Sequence, residues 1–157
     1  MGSLGLICTH RNIVTVNMME AVGEAQVFAE KSGLGTGPME ELIGEAFGPV
    51  AGGYSKRLVC RPYSRNSPNL SRLTTGAYAP SLHSRPGFGV SLAIKDANHA
   101  MEMAEERGVE LPGLKIARDN MEAAREYGGE CLDSSSMYGI LRQKAGLQFW
   151  NERSRKE

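Results

Sequence analysis

The chain has 157 residues, a length that fits a single domain. Hydrophobic residues make up 41% and charged residues 23% of it, as in an ordinary globular protein, which excludes a disordered or collagen-like chain. No run approaches the ~18 apolar residues of a membrane span, and 18 basic residues balance 18 acidic ones, so nucleic acid and membrane surfaces are not expected partners.

The first periodic segment covers residues 11–31. Its apolar residues recur at spacings of three and four and share one face of a helix: Val14, Met18, Ala21, Val22, Ala25 and Phe28. Gly33 is a suitable stop. Because the segment is apolar almost throughout, we expect burial on more than one side, and we interpret residues 1–10 as a truncated or irregular N-terminus.

A second helix is predicted for 37–49. Pro38 suits its first turn, and Gly48-Pro49 is expected to end it. The periodicity then disappears between residues 56 and 86, and the Arg-, Ser-, Asn- and Pro-rich stretch at about 59–73 is interpreted as an irregular insert.

Helical periodicity resumes at 90–108 and 111–129. A last helix at 134–146 can be capped by Asp133 or Ser134. No window alternates like a strand, so the sequence predicts an all-α domain of about six helices over residues 11–150, with a frayed tail at 151–157.

The sequence contains no glycine-rich dinucleotide motif, Walker loop or zinc-protease motif. Its three cysteines, Cys8, Cys60 and Cys131, are widely spaced without CxxC, and no histidine has a partner at metal-ligand spacing. We therefore expect reduced thiols, no metal site and a cytoplasmic location.

One group of polar residues stands out in the 90–108 helix. Lys95 and His99 are four apart and share a face, with Asp96 beside them. Such a pair can bind an anion or transfer protons, or it can be an ordinary solvent-facing pair.

The segment PGFGVSLAIKDANHA resembles the PxFxxxLxxKDxxLA signature of the 3-hydroxyisobutyrate dehydrogenase-related (β-hydroxyacid dehydrogenase) family, part of the 6-phosphogluconate dehydrogenase-like superfamily. The segment NIVTVNMMEAVGEAQVFAEKSGL resembles that family's long interdomain helix, and the stretch from ERGVELPGL to MYGILR resembles its closing helices. The resemblance implies the family's C-terminal helical bundle, with a long first helix and without the Rossmann domain that binds NAD or NADP.

The resemblance also implies roles for individual residues. Asn12 matches the asparagine that orients the substrate, and Lys95 matches a lysine that approaches the cofactor. Phe88 is the signature aromatic and Asp96 neighbours Lys95, so both are candidates on the cofactor side. These roles make Asn12 and Lys95 the candidate catalytic residues.

Four other positions are weaker candidates. His99 and Arg142 are assigned to the substrate pocket, although an ordinary surface position is the alternative for Arg142. Glu20 and Glu24 are four apart on the first helix; they are interpreted either as paired carboxylates facing the pocket or as solvated or interface residues.

Two departures from the family bear on activity. Cys8 stands where the family has its catalytic lysine, and a thiol does not supply the positive charge of an ammonium group. Only about twelve residues precede the first helix, fewer than the ~30 of one βαβ unit. We therefore expect that this chain alone does not bind NAD or NADP.

Three functions remain open. The chain can be a stand-alone substrate and dimerisation domain of an NAD(P)-dependent oxidoreductase in small-molecule or secondary metabolism, working with a nucleotide-binding partner. It can instead be a non-redox isomerase or cyclase that uses Asn12, Lys95 and His99, or an inactive dimerisation module. In each case we expect a homodimer formed by the first helices, because five short helices cannot cover the whole circumference of a long apolar one.

Overall fold

The computed structural model describes residues 3–59 and 86–151, with side chains from residue 7 onward. Its α-helices are α1 (Ser3–Ser32), α2 (Thr36–Val59), α3 (Val90–Glu105), α4 (Pro112–Gly128) and α5 (Met137–Lys144), and a 3-10 turn (Ser134–Ser136) leads into α5. The one strand-like pairing in these ranges is an isolated antiparallel bridge between Gly89 and Asp133. The predicted all-α fold is confirmed.

Helix α1 is the axis of the domain. Its 30 residues span ~45 Å, and all four other α-helices pack against it. The side that they cover contributes Val16, Met19 and Val22 to the core, each no more than 6% exposed. Helices α3 and α4 add a second layer through alanines, which let the helix backbones approach closely.

Helix α2 consists of two helical pieces that meet in a kink at Gly48, and the helix predicted at 37–49 corresponds to the first of them. Gly48 has φ of 78° and ψ of −176°, a backbone conformation that favours glycine, and Pro49 then starts a second helical piece. The two halves fold closely together, since a Cβ on Gly52 would lie 2.9 Å from the Cα of Gly44. The expected end at Gly48-Pro49 is therefore confirmed for the first piece, whereas the second piece, which ends at Val59, was not predicted because proline also suits a helix start.

The segments before α3 and before α5 hold each other in place. Val90 N donates to Leu132 O at 2.9 Å, and Ser134 N donates to Phe88 O at 2.8 Å. Asp133 caps the 3-10 turn by accepting from Ser135 N at 3.0 Å, so the predicted cap is confirmed. The start of α3, where the signature residues lie, is thereby fixed to the base of α5.

The two ends of the domain differ from the expectations. Helix α1 already begins at Ser3, so residues 3–10 are helical and not irregular; they contain no proline to stop the helix. At the other end, Asn151 is anchored because its Nδ2 donates to Leu58 O at 3.0 Å. The remainder of the predicted tail, and the predicted insert at 59–73 apart from Val59 in α2, lie outside the described residues.

The face of α1 that the spacing selected is mostly not the buried one. Val14 is 60% exposed and Phe28 is 74% exposed. The buried face instead includes the polar residues Glu20 and Gln26, whose partners lie on other helices. None of the helices in the described ranges combines the length and the apolar character needed to cross a bilayer.

Candidate active site

The candidate site lies where α1 passes α3. Asn12 on α1 donates from Nδ2 to Oδ2 of Asp96 on α3 at 3.0 Å. The two residues are 84 positions apart in sequence, so the hydrogen bond depends on the packing of the helices. Both side chains are half-buried, which puts the bond at the edge of the core and next to solvent.

Lys95 joins the same carboxylate from the solvent side. Its Nζ lies 3.3 Å from Oδ1 of Asp96, while the lysine side chain stays 71% exposed. Asp96 therefore accepts from Asn12 on one oxygen and pairs with Lys95 on the other. Because the lysine is so exposed, this ion pair contributes little to stability, and the ammonium group remains accessible to an anion.

His99 follows Lys95 by one turn of α3. Its Nδ1 lies 3.9 Å from Oε2 of Glu102, and its Nε2 is buried without a hydrogen-bond partner in the part of the chain that the structure describes. The side chain as a whole is 42% exposed. A ring nitrogen in this position is able to accept or donate one further hydrogen bond.

Phe88 lies just before the first turn of α3. Its backbone N donates to Oδ2 of Asp133 at 2.9 Å, and its ring packs half-buried against the core. The bond to Asp133 fixes the residue that starts the signature segment, so the aromatic ring and the α3 cluster belong to one rigid unit.

Arg142 lies far from this cluster. The structure pairs its guanidinium with Glu30 of α1, and its Nε donates to Gln148 O at 2.9 Å. Asn12 and Glu30 are 18 residues apart on one helix, or ~27 Å along its axis. The structure therefore brings Asn12, Lys95 and Asp96 together, with His99 one turn further along α3, but gives Arg142, only 4% exposed, a place at the other end of α1.

Cys8 occupies the turn of α1 that precedes Asn12. It is exposed and forms no disulfide with Cys131, the other cysteine in the described ranges. Since residues four apart lie on the same face of a helix, the thiol is placed on the Asn12 side of α1, at the position where the family resemblance implies a lysine.

Glu20, which the sequence left open as a pocket-facing or a solvated or interface carboxylate, lies in the core. It is only 6% exposed, accepts from Asn120 Nδ2 at 2.5 Å, and Lys144 Nζ donates to the Asn120 side-chain oxygen at 2.6 Å. Burial, helped by the nearby charge of Glu24, raises the pKa of Glu20 to about 7, although the hydrogen bond from Asn120 and the charge of Lys144 act to lower it. Among the described residues, its second oxygen has no partner. The apolar residues around it in α1 were the one signal for this burial.

A family model matches residues 9–141 of the chain, and it is described as the NAD-binding domain of NADP-dependent 3-hydroxyisobutyrate dehydrogenase. The chain belongs to this family. The match begins directly after Cys8 and includes Asn12, Lys95 and Asp96.

Three curated oxidoreductases are similar to most of this chain. An NADH-dependent oxidoreductase, ucdB of Aspergillus ustus, is 30% identical over 88% of this chain and 42% of its own length. The 2-(hydroxymethyl)glutarate dehydrogenase of Eubacterium barkeri is 27% identical over 82% of the chain and 37% of its own length. An uncharacterised oxidoreductase of Bacillus subtilis, YkwC, is 32% identical over 78% of the chain and 36% of its own length. The chain thus spans about two fifths of the length of these relatives.

The described residues of this family member fit one side of a dinucleotide. Lys95 offers an exposed cation and Phe88 a half-buried aromatic ring at the same end of α3. No strand followed by a glycine-rich turn occurs in residues 3–59 and 86–151, and that is the element which normally holds the pyrophosphate. The fit therefore extends to contact with NAD(P) from the helical side.

Proposed function

We propose that this chain is the helical, substrate-side domain of an NAD(P)-dependent oxidoreductase that acts on a small hydroxy acid or the corresponding carbonyl compound. A nucleotide-binding domain, in a longer product or in a separate chain, completes the enzyme. The cluster of Asn12, Asp96 and Lys95 carries this proposal, because it joins the polar residues of two distant segments at one solvent-facing edge.

The cluster can position a substrate without changing its own packing. Asn12 gives one N–H to Asp96 and keeps a second N–H and a carbonyl oxygen for a hydroxy acid. Lys95 adds a positive charge that attracts a carboxylate or a phosphate. Asp96 keeps both side chains oriented, so its role is positioning.

NAD(P), when bound, supplies the carbon that accepts or donates a hydride. Lys95 and Phe88 are the residues of this chain that would contact it. The reaction also moves a proton to or from the substrate oxygen, and a protein side chain must donate or accept it. Cys8 lacks the charge of the family's lysine, and Lys95 is the cation that shares the Asp96 carboxylate with Asn12, so we assign this proton to Lys95.

The substrate class is supported by the relatives. One of them is a dehydrogenase of 2-(hydroxymethyl)glutarate, a hydroxy acid, and another is an NADH-dependent oxidoreductase. We place the reaction in small-molecule metabolism and in the cytoplasm, where the exposed thiols of Cys8 and Cys131 would stay reduced.

The proposal is tested by NADH fluorescence titration and by turnover of β-hydroxy acids, with the chain alone and fused behind a Rossmann domain from a family member. We expect saturable binding and turnover in the fusion, and an approximately tenfold or greater loss of kcat/KM in Lys95→Ala. Lys115→Ala is the matched control, because Lys115 also pairs with an aspartate, Asp119 at 2.9 Å, on an exposed helix face. A fusion that turns over equally well with either alanine variant contradicts the proposal.

A second candidate is a non-redox reaction that moves a proton between neighbouring carbons. The buried Nε2 of His99, one turn from Lys95 and without a hydrogen-bond partner among the described residues, favours it. Incorporation of solvent deuterium into a keto or hydroxy acid without NAD(P), measured by NMR and abolished in His99→Asn, would support this reading. If neither deuterium nor hydride is transferred, the inactive dimerisation module is the remaining function.

A further inference from the structure

The described residues that follow α5 leave the helix and reach the end of α2, and we call residues 145–151 the strap. Gly146, with φ of 76°, turns the chain at the start of the strap. Nε of Arg142 donates to Gln148 O at 2.9 Å. Because Arg142 is also paired with Glu30, the first half of the strap is tied to both α5 and α1.

The middle of the strap is anchored by Phe149, which is only 2% exposed. Its ring stacks on Tyr127 of α4, with the ring centroids 4.2 Å apart, and meets the ring of Trp150 edge-on at 4.5 Å. The space for this ring exists because Gly139 of α5 has no side chain: a Cβ there would lie 2.6 Å or less from three of the ring atoms. The buried ring therefore fixes the strap to α4 and α5.

The end of the strap caps α2. Asn151 Nδ2 donates to Leu58 O at 3.0 Å, across 93 positions in the sequence. The last four carbonyl groups of a helix have no donor within that helix, so the strap supplies one of them from a distant segment. Leu58 and Val59 are only 2% and 1% exposed, and a carbonyl group at so buried a helix end is costly to leave without a donor.

Helix α2 is the least enclosed of the long helices, which gives the strap something to hold. Among the α-helices of the described ranges, α4 packs against α1, α3 and α5, whereas the packing of α2 is concentrated on α1. The kink at Gly48 separates the second piece of α2, residues 49–59, from the first. This second piece is held in its middle by the bond from Gln26 Nε2 to Ser55 Oγ at 2.7 Å, and at its end by the strap.

We propose that the strap is a latch for the second piece of α2, so that residues 49–59 and 145–151 open together while the rest of the domain stays folded. In the closed state, Phe149 is buried and Asn151 caps the helix. In the open state both contacts are broken at once, and the second piece swings about Gly48, whose positive φ already bends the chain there. The free energy of this local opening lies below that of global unfolding.

The latch lies away from the candidate active site. Gln26, which bonds to the second piece of α2, is 14 residues after Asn12 on the same helix, or ~21 Å along its axis. The hydrogen bond between Asn12 and Asp96 is therefore intact in the open state. The latch goes beyond the proposed function and does not rest on it.

Hydrogen–deuterium exchange of the full chain tests whether the two segments open as one unit. In the wild type, the slowest amides of 49–59 should exchange faster than those of 90–105 in α3. Ile94→Val removes one methyl group from an α3 side chain that is 4% exposed, and it should speed exchange in α3 about fivefold through global unfolding. Because Ile94 keeps its contacts when the latch opens, exchange in 49–59 should not change.

Variants of the strap should act on the second piece of α2 directly. Phe149→Ala should speed exchange in 49–59 by at least about tenfold, and Asn151→Ala, which removes only the cap, by about fivefold. The amides of the strap should change together with those of 49–59 in each variant. Gln148→Ala is the matched control, because Gln148 bonds to Arg142 through its backbone oxygen, and it should exchange like the wild type.

Two results would overturn the latch. Equal acceleration of α3 and of 49–59 by Ile94→Val would mean that the second piece opens only together with the whole domain. Unchanged exchange of 49–59 in Asn151→Ala and in Phe149→Ala would mean that the strap does not hold this piece.

Discussion

Asn12 on α1 and Asp96 on α3 are linked by a hydrogen bond of 3.0 Å that crosses between two segments 84 residues apart. Asp96 also faces the ammonium group of Lys95 at 3.3 Å. The carboxylate therefore sets the position of both side chains to which we assign contact with a substrate, and its removal should affect stability and binding separately.

We predict that Asn12→Ala and Asp96→Ala each lower the free energy of unfolding by about 1–1.5 kcal/mol, because the bond is half-buried and charge-assisted. Urea denaturation of both single variants and the double variant forms a double-mutant cycle. We expect a coupling energy of about 1 kcal/mol. A coupling near zero would mean that the hydrogen bond does not exist in solution.

The buried Glu20 predicts a dependence of stability on pH. Its pKa rises from 4.5 to about 7 on folding, with burial as the main cause. The folded state therefore binds the proton more tightly than the unfolded state. The stability that protonated Glu20 provides is complete below pH 4.5 and is lost as the pH rises through about 7.

Glu20→Gln imitates the protonated acid and should remove this dependence. Between pH 4.5 and pH 8, the wild type should lose roughly 2 kcal/mol of unfolding free energy more than the variant does. Urea titrations at several pH values measure the difference. Glu126→Gln, at an exposed position of α4, should follow the wild type; identical pH profiles for Glu20→Gln and the wild type would contradict the burial of Glu20.

The pair formed by Arg142 and Glu30 should be structural. Arg142 is 4% exposed, and its guanidinium carbon also lies 5.7 Å from the Tyr138 ring centroid. Arg142→Met leaves a carboxylate without its cation, and we expect a loss of about 3 kcal/mol in thermal or urea unfolding. Because Arg142 lies ~27 Å along α1 from the level of Asn12, KM measured on the folded fraction should stay unchanged. If KM rises in Arg142→Met while the unfolding free energy is retained, Arg142 does act in the substrate pocket.

Periodicity in the sequence located the helices well where each has one apolar face. The predicted helices at 90–108 and 111–129 correspond to Val90–Glu105 and Pro112–Gly128. Both helices bury small and aliphatic residues on one side only, such as Ala97 in α3 and Ala117 in α4. In such a helix, the face predicted from the spacing of apolar residues is the face that is buried in the structure.

The same rule failed for α1, for a physical reason. Its buried face carries Glu20 and Gln26, which are accepted in the core because Asn120 and Ser55 supply hydrogen bonds from distant parts of the chain. Partners of this kind are invisible to local spacing. The apolar residues that the spacing did select, Val14 and Phe28, are exposed in the chain.

The candidate site was only partly predictable. The spacing of Lys95 and His99 indicated one helix face, but neither residue type nor spacing connects them to Asn12. The family resemblance supplied that connection, and the packing of α1 on α3 gave it a geometry. The pairing of Arg142 with Glu30 could not be predicted. The two residues are 112 positions apart, a distance at which sequence spacing carries no information.

The packing of α5 against the C-terminal aromatic residues gives a last prediction. A Cβ on Gly139 would lie 2.6 Å or less from three ring atoms of the buried Phe149, so Gly139→Ala should lower the unfolding free energy by about 1–3 kcal/mol. At Gly53, in the second half of α2, no atom of the described residues outside the local helix backbone lies within 4 Å of such a Cβ. Gly53→Ala should instead raise stability by about 0.5–1 kcal/mol, since alanine loses less backbone entropy in a helix. Opposite shifts in Tm for these two substitutions would verify the close contact between α5 and Phe149, whereas equal shifts would contradict it.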